Sequence, residues 1–342
     1  MIPIENIYYL LCYAWDKLEE KEKVKVDVAG ITDLADLFAR ILINGSRLLL
    51  KRGIDKSYVE ETLEYRGIKG KLEIGPTLKS GLHYKHRTVC TVDEFSADIL
   101  PNQILITTIY SLLGTRELDS KLKIELKSLL WLFPGISVIE LNRSVFNRVI
   151  LHRNNRFYAF LINVCKIIHE NLLPGDKPGE WQFIDFIRDK RKMNKLFEAF
   201  IRNFYRRQYP HWTVKSEILN WSFIFQNESD RDFLPIMRTD ISILNDSGKT
   251  IIDAKYYHET LATYYGREKI HSSNLYQIFS YLMNQRSSDP ASHETKGMLI
   301  YPTIETEFNI DFMFENHPIL IRTVNLGAAW QDIEERLKVV ME

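Results

Sequence analysis

Hydrophobic and polar positions change period twice along three stretches in the C-terminal half of the chain. From Met193 to Tyr209, MNKLFEAFIRNFYRRQY places Leu196, Phe197, Phe200, Ile201 and Phe204 on one helical stripe, with Glu198 at its edge. From Pro235 to Tyr257, PIMRTDISILNDSGKTIIDAKYY reads as two strand-like runs joined by the turn cluster Asn245, Asp246, Ser247 and Gly248. Helical spacing then returns in SSNLYQIFSYLMN. Ser272 or Ser273 is the expected cap, and Leu275, Ile278, Phe279 and Leu282 are the expected buried face.

The N-terminal half is more broken. Asn6 to Trp15 reads as a packed helix with aromatics on several sides, and Thr32 to about Lys51 as a second helix with Gly53 as its stop. From Ser57 to Phe95 the pattern is strand-like and irregular, with turns at Gly67, Gly70, Gly75, Pro76 and Gly81. Helices are expected from Pro101 to Leu113 and from Leu118 to Leu132. Short strands follow in SVIEL and FNRVILH, then a helix from Arg156 to Leu173. A domain boundary is expected near residue 150, giving domains 1–150 and 151–342, with Leu172 to Pro178 as an alternative hinge.

Candidate chemistry lies in the two strand-like runs. Side chains alternate across a strand, so Asp253 and Lys255 share a face that Ile252 and Ala254 do not. If the runs pair as a hairpin, Asp240 lies across from Asp253. Two carboxylates and an ammonium then converge at a sheet edge, a set suited to phosphodiester hydrolysis with a hard divalent cation. Lysine in that place can orient water or stabilise the phosphorane. A surface hairpin with a solvated Asp/Lys pair satisfies the same spacing. Glu198 upstream, and Gln277 with Tyr281 one helical turn apart downstream, could complete the site or serve packing.

Charge alters this picture in one respect. The 342 residues carry 45 basic and 45 acidic side chains, whereas a free-standing DNA binder usually has a basic excess. Either a local patch or a partner must hold DNA. The stretch Arg188 to Lys215 is one such patch, although a solvated helix face has the same composition. Cys12, Cys90 and Cys165 are scattered in apolar contexts, as reduced cytosolic thiols are. His83 and His86 lack nearby partners for a metal, and a solvated loop is expected there. The N-terminal apolar run is short and closed by Asp16 and Lys17, so neither a targeting segment nor a membrane span is expected.

A helix, a hairpin bearing D…DxK, then a helix bearing QxxxY is the element order of the PD-(D/E)xK nuclease core. The blocks IPIENIYYLLCYAW (Ile2 to Trp15), GIKGKLE (Gly67 to Glu73), FPGISVIEL (Phe133 to Leu141), RTDISI (Arg238 to Ile243) and IIDAKYY (Ile251 to Tyr257) fall in a family-like order. HSSNLYQIFSYL (His271 to Leu282), LIYP (Leu299 to Pro302) and TVNLG (Thr323 to Gly327) continue it. In this order and spacing the chain resembles the McrC family, the nuclease subunits of McrBC modification-dependent restriction systems. Arg66, where proline is expected before GIKG, departs from the pattern and affects only a turn.

The resemblance implies an α+β N-terminal domain with a small β finger-like region, and a C-terminal α/β restriction-endonuclease-like domain with a mixed sheet flanked by helices. It implies an N-terminal half that docks on a McrB-like AAA+ GTPase ring and stimulates GTP hydrolysis. The C-terminal half would be an endonuclease cutting methylated double-stranded DNA with Mg2+. Asp240, Asp253 and the Ala254 carbonyl would hold the metal, with Lys255, Glu198 and Gln277 in catalytic or supporting roles. The methylcytosine reader and the GTP pocket would belong to the partner, since no GxxxxGK[ST] loop occurs here. A prokaryotic cytoplasmic protein is implied, with a second copy needed for double-strand cleavage. The basic segment Arg66 to Arg87 is the candidate ring contact. A degenerate nuclease fold kept only as GTPase activator is the alternative.

Overall fold

The apolar N-terminal run forms helix α1 (Ile4–Ala14), and its polar atoms show what it packs against. The Asn6 amide donates to the carbonyls of Leu326 and Ala328 at 2.7 and 2.9 Å, Tyr13 donates to Glu334 at 2.7 Å, and Tyr9 stacks on Trp330 with ring centroids 4.3 Å apart. The first helix is therefore built into the C-terminal part of the fold. In the computed structural model the chain divides into two units: Met1–Lys21 with Asp185–Glu342, and Glu22–Ile184. The structure describes residues 2–15, 31, 33–150, 156–175, 179–224, 226–256, 262–264, 267–285, 295–304, 307–314 and 316–341.

The division expected near residue 150 is thus displaced, because the helix expected from Arg156 belongs to the Glu22–Ile184 unit. That unit opens with α2 (Leu34–Arg52), capped by Asp33 and ended by Gly53 at φ 85°, as the stop signal required. Strands β1 (Ser57–Arg66), β2 (Lys71–Leu72) and β3 (Arg87–Ser96) form a sheet in the order β1-β3-β2, separated by the short helix α3 (Ile74–Lys79). β1 and β3 pair antiparallel over ten residues, from Ser57 opposite Ser96 to Arg66 opposite Arg87. His83 and His86 are exposed in the turn beyond α3, as the solvated reading expected.

Helices α4 (Leu100–Leu113) and α5 (Ser120–Leu130) follow. Among the described residues, the strands expected in SVIEL and FNRVILH do not form; Leu151 and His152 lie outside those residues. Side chains supply the acceptors that a ladder would have supplied: the N–H groups of Ser137 and Ile139 donate to Asp98 and Thr107. Asn142 then caps the short helix α6 (Arg143–Asn147) through the Val145 N–H. Helix α7 (Arg156–Asn171) buries Phe160, Leu161, Val164, Cys165 and Ile168. A Cβ at Gly45 of α2 would lie 2.5 Å from Leu161, so glycine lets these two helices approach. Strands β4 (Leu172–Pro174) and β5 (Trp181–Phe183) close the unit.

The other unit resumes with α8 (Lys190–Gln208), capped by Asp189; it buries the predicted stripe together with Met193 and Tyr205. Its sheet uses β6 (Thr213–Lys215), β9 (Ile241–Asn245), β10 (Gly248–Ala254), β13 (Lys296–Thr303), β14 (Asn309–Phe314) and β15 (His317–Asn325), in the order β14-β15-β13-β10-β9-β6. Small pairs β7 (Ile218–Leu219) with β8 (Met237–Arg238), and β11 (Ala262–Tyr264) with β12 (Arg267–Lys269), lie outside it. β10 runs parallel to β13, and β13 to β15, while the remaining pairs are antiparallel.

Helix α9 (Ser272–Gln285) begins at Ser272 itself, so the expected serine caps lie inside its first turn, behind the His271 carbonyl. Ile278, Tyr281 and Leu282 of α9 pack on Ile251, Leu299 and Ile321 of the sheet. Helix α10 (Trp330–Val339) ends the fold. Among the described residues, no helix is long and apolar enough to cross a membrane.

Candidate active site

The antiparallel register of β9 and β10 builds the site. Ile252 faces Ile241, so the next step places Asp253 opposite Asp240. The Ala254 N–H donates to Asp240 Oδ2 at 3.1 Å, fixing that carboxylate across the strands. Lys255 continues the ladder towards β13, its N–H donating to the Ile300 carbonyl at 3.0 Å. Its ammonium therefore turns back between the two acids, 2.8 Å from Asp253 Oδ1 and 3.6 Å from Asp240 Oδ2. Asp253 is fully enclosed, whereas Asp240 and Lys255 keep 18% and 17% of their side chains in reach of solvent.

Two helices brace this edge. Along α8, Asn194, Glu198 and Arg202 recur every fourth residue and so lie along one side. Asn194 Oδ1 accepts the Tyr256 N–H at 2.8 Å, holding the strand just past Lys255. Glu198 accepts from Arg202 at 2.7 Å, and Arg202 also reaches the Asp240 carbonyl at 3.4 Å. On α9, Gln277 donates to the Tyr281 hydroxyl at 2.7 Å, which donates to the Arg238 carbonyl at 2.8 Å, two residues before Asp240.

Proton affinities follow from this crowding. Burial, then the charge of Asp240, pushes the Asp253 carboxyl up to about 7 despite the opposing pull of Lys255. Burial disfavours the Lys255 ammonium, but Asp253 and Asp240 together outweigh it and take the group up to about 12. Glu198 is raised by burial and by Asp240, with Arg202 and Lys255 pulling the other way. Tyr281 is raised chiefly by burial, and it senses both aspartates.

The structure thus brings Asp240, Asp253 and Lys255 together and sets Glu198 beside them. It joins Gln277 to the group only through Tyr281. Tyr257 and His258 lie outside the described residues. Arg202 and Asn194 were not singled out from sequence, although their spacing from Glu198 on a helix that also carries an acid at the site was a usable signal. The basic stretch from Arg188 to Lys215 is partly committed internally: Arg202 to Glu198, Arg206 to the Val214 carbonyl, and Lys215 to Glu217 at 3.4 Å.

One atom tests whether a cation fits. Asp253 Oδ2 is buried and meets no donor, only the acidic Asp240 side chain beside it, an unmet bond that costs roughly 1–3 kcal/mol. Two carboxylates with the adjacent Ala254 carbonyl are hard oxygen donors, the kind Mg2+ takes while keeping waters of its own. No third His, Cys, Asp or Glu joins them in a metal-binding group among the described residues. The residues present fit a sparsely held, water-rich divalent ion.

Comparison with known proteins shows the family of the chain and a likeness of fold. Residues 5–302 match the family described as McrBC 5-methylcytosine restriction system component. The chain is 34% identical over 338 residues to the type IV methyl-directed restriction enzyme EcoKMcrBC of Escherichia coli (strain K12), covering 98% of this chain and 96% of that one. Its fold matches a chain from the tetradecameric assembly of Thermococcus gammatolerans McrB AAA+ hexamers with bound McrC. The TM-score is 0.57 and the identity 20%, covering 99% of this chain and 76% of that one. At that identity the likeness is one of fold.

Proposed function

The chain belongs to the McrBC 5-methylcytosine restriction family, and from that premise we propose that it is the system's endonuclease subunit, hydrolysing DNA phosphodiester bonds with Mg2+. The observation that carries this reading is the set Asp240, Asp253 and Lys255 on paired strands, with Asp253 Oδ2 enclosed and meeting no donor. Asp240, Asp253 and the Ala254 carbonyl would hold the ion. Bound there, Mg2+ supplies a polarised water and offsets charge on the scissile phosphate and leaving oxygen.

The side chains do the rest. Lys255, held between both acids, is placed to orient the attacking water and to stabilise charge as the phosphorane forms. Glu198 borders the site from α8, and Arg202 ties its carboxylate to the Asp240 main chain. Gln277 acts through Tyr281, steadying the segment that enters Asp240.

The partner is a McrB-like AAA+ ring whose GTPase this subunit stimulates. It delivers methylated double-stranded DNA, and two copies of the subunit meet to cut both strands. The chain's even charge balance supports a subunit that relies on a partner to hold DNA. The ten-residue β1–β3 hairpin, carrying the Arg66 to Arg87 segment at its far end, is the proposed ring contact. Exposed Tyr58, Ile68, Ile74 and Tyr84 on and around it leave apolar surface for such a partner.

The test separates chemistry from assembly. In a complex with the ring partner, Asp253→Ala and Lys255→Ala should abolish cleavage, with a fall of about 10²-fold or more for the lysine. Complex formation and GTP turnover should stay near the native level. Normal cutting by both variants would remove the nuclease assignment and leave the GTPase-activator reading.

A further inference from the structure

Strand β10 ends at the acidic site and begins at the opposite rim of the sheet, about 20 Å away. At that rim a cavity of about 300 Å3 opens beside the β9–β10 turn. Tyr209 and Trp212 line it, stacked on one another with centroids 3.8 Å apart and planes 9° from parallel. Lys296, at the head of β13, and Lys338, in the last turn of α10, line it too, with the hydroxyl side chains of Ser247 and Thr250. Among the described residues, none that lines it is acidic. Lys338 pairs with Glu335 at 3.3 Å, but that carboxylate is exposed on the helix, and such pairs hold a lysine weakly.

Each feature alone has an ordinary explanation, since aromatics often close a helix end and lysines often rim a sheet. Their conjunction in one concavity is specific. An aromatic pair offers a flat face to a base, two ammoniums offer charge to a phosphate, and hydroxyls can bond to a sugar. The volume sits at the small end of ligand pockets, matching one such unit rather than a duplex.

We propose that this cavity binds a single nucleoside phosphate, its base against the Tyr209–Trp212 pair and its phosphate on Lys296 and Lys338. The inference stands apart from the nuclease reading, because it uses no residue of the acidic site. The same chemistry is carried by a free mononucleotide and by one nucleotide of a single strand, such as the end of an opened duplex.

The experiment is a binding titration of the full chain in EDTA, which silences any Mg2+-dependent hydrolysis. The probes are dCMP, dAMP and a single-stranded deoxycytidine oligonucleotide. Saturable binding is expected, with Trp212→Leu and Lys296→Gln each weakening it about ten-fold. For the strand, Lys296→Gln should also reduce the slope of log K against log salt by about 0.7. Saturation by the mononucleotides identifies a free ligand, and saturation by the strand alone identifies a strand site. Circular dichroism checks that the variants fold, and Lys296→Gln decides the matter should Trp212→Leu lose structure. No saturable binding, or native affinity in the folded variants, overturns the proposal. Asp253→Ala should bind as the native chain does, so failure of the nuclease assignment leaves this result readable.

Discussion

Asp253→Asn should stabilise the metal-free protein while ending its chemistry. The carboxyl rises from 3.8 to about 7 on folding, because burial and Asp240 outweigh the attraction of Lys255. A group whose pKa rises on folding binds its proton more tightly in the folded state. Its contribution to stability is therefore fully present below about pH 4 and is lost as pH climbs through about 7. Above that, an ionised Asp253 costs the fold on the order of 4 kcal/mol as an upper limit, at about 1.4 kcal/mol per pKa unit. A neutral amide of the same shape escapes that cost. With roughly 2–4 °C per kcal/mol for a unit of this size, thermal unfolding at pH 8 in EDTA should move up, by at most about 8–16 °C. The gain should shrink steadily as pH falls towards 5, where the native carboxyl is itself protonated. Excess Mg2+ should raise the Tm of the native chain and leave the variant unmoved. Scanning calorimetry across pH 5 to 8, with and without Mg2+, reads all of this. A variant less stable than the native chain at pH 8 in EDTA would refute the reasoning, since it would mean that the ionised carboxylate is a net support of the fold.

Arg202→Ala should leave Glu198 with less to hold its proton off, so the acid limb of the cleavage pH profile should shift to higher pH and the rate fall about ten-fold; Arg202→Lys should recover part of both, and an unmoved profile would show that Arg202 does not act through Glu198. Removing residues 66–87 and closing β1 to β3 with a short turn should lower stimulation of the partner's GTPase while leaving the thermal unfolding of the unit formed by Met1–Lys21 and Asp185–Glu342 in place. Unchanged stimulation would move the ring contact elsewhere on the chain.

Much of the candidate site was legible because strand arithmetic is local. Asp253 and Lys255 alternate onto one face, and the turn at Asn245 to Gly248 sets a register that carries Asp240 opposite Asp253. The stripe on α8 likewise follows from spacing alone. Arg202 and Asn194 were hidden for a different reason: they act through a main-chain carbonyl and a main-chain N–H, partners that carry no residue identity. Among the described residues, the strands expected in SVIEL and FNRVILH fail because Asp98, Thr107 and Asn142 offer the backbone competing acceptors, two of them some thirty residues or more away in sequence. The unit boundary escaped because α1 is buried by a surface over three hundred residues downstream, where Leu326, Ala328 and Glu334 receive its donors. Period and turn chemistry report on neighbours, and these contacts are between strangers in the chain.

The central claim, that two aspartates and a lysine on adjoining strands cut DNA with a divalent cation, meets its most direct test in one assay. The chain is assembled with its GTPase ring partner and GTP, then given methylated and unmethylated duplexes, with Mg2+ or with EDTA. The account predicts cleavage of the methylated duplex in Mg2+ alone, and none by Asp240→Asn under the same conditions. Undiminished cutting by Asp240→Asn, or equal cutting in EDTA, would contradict it.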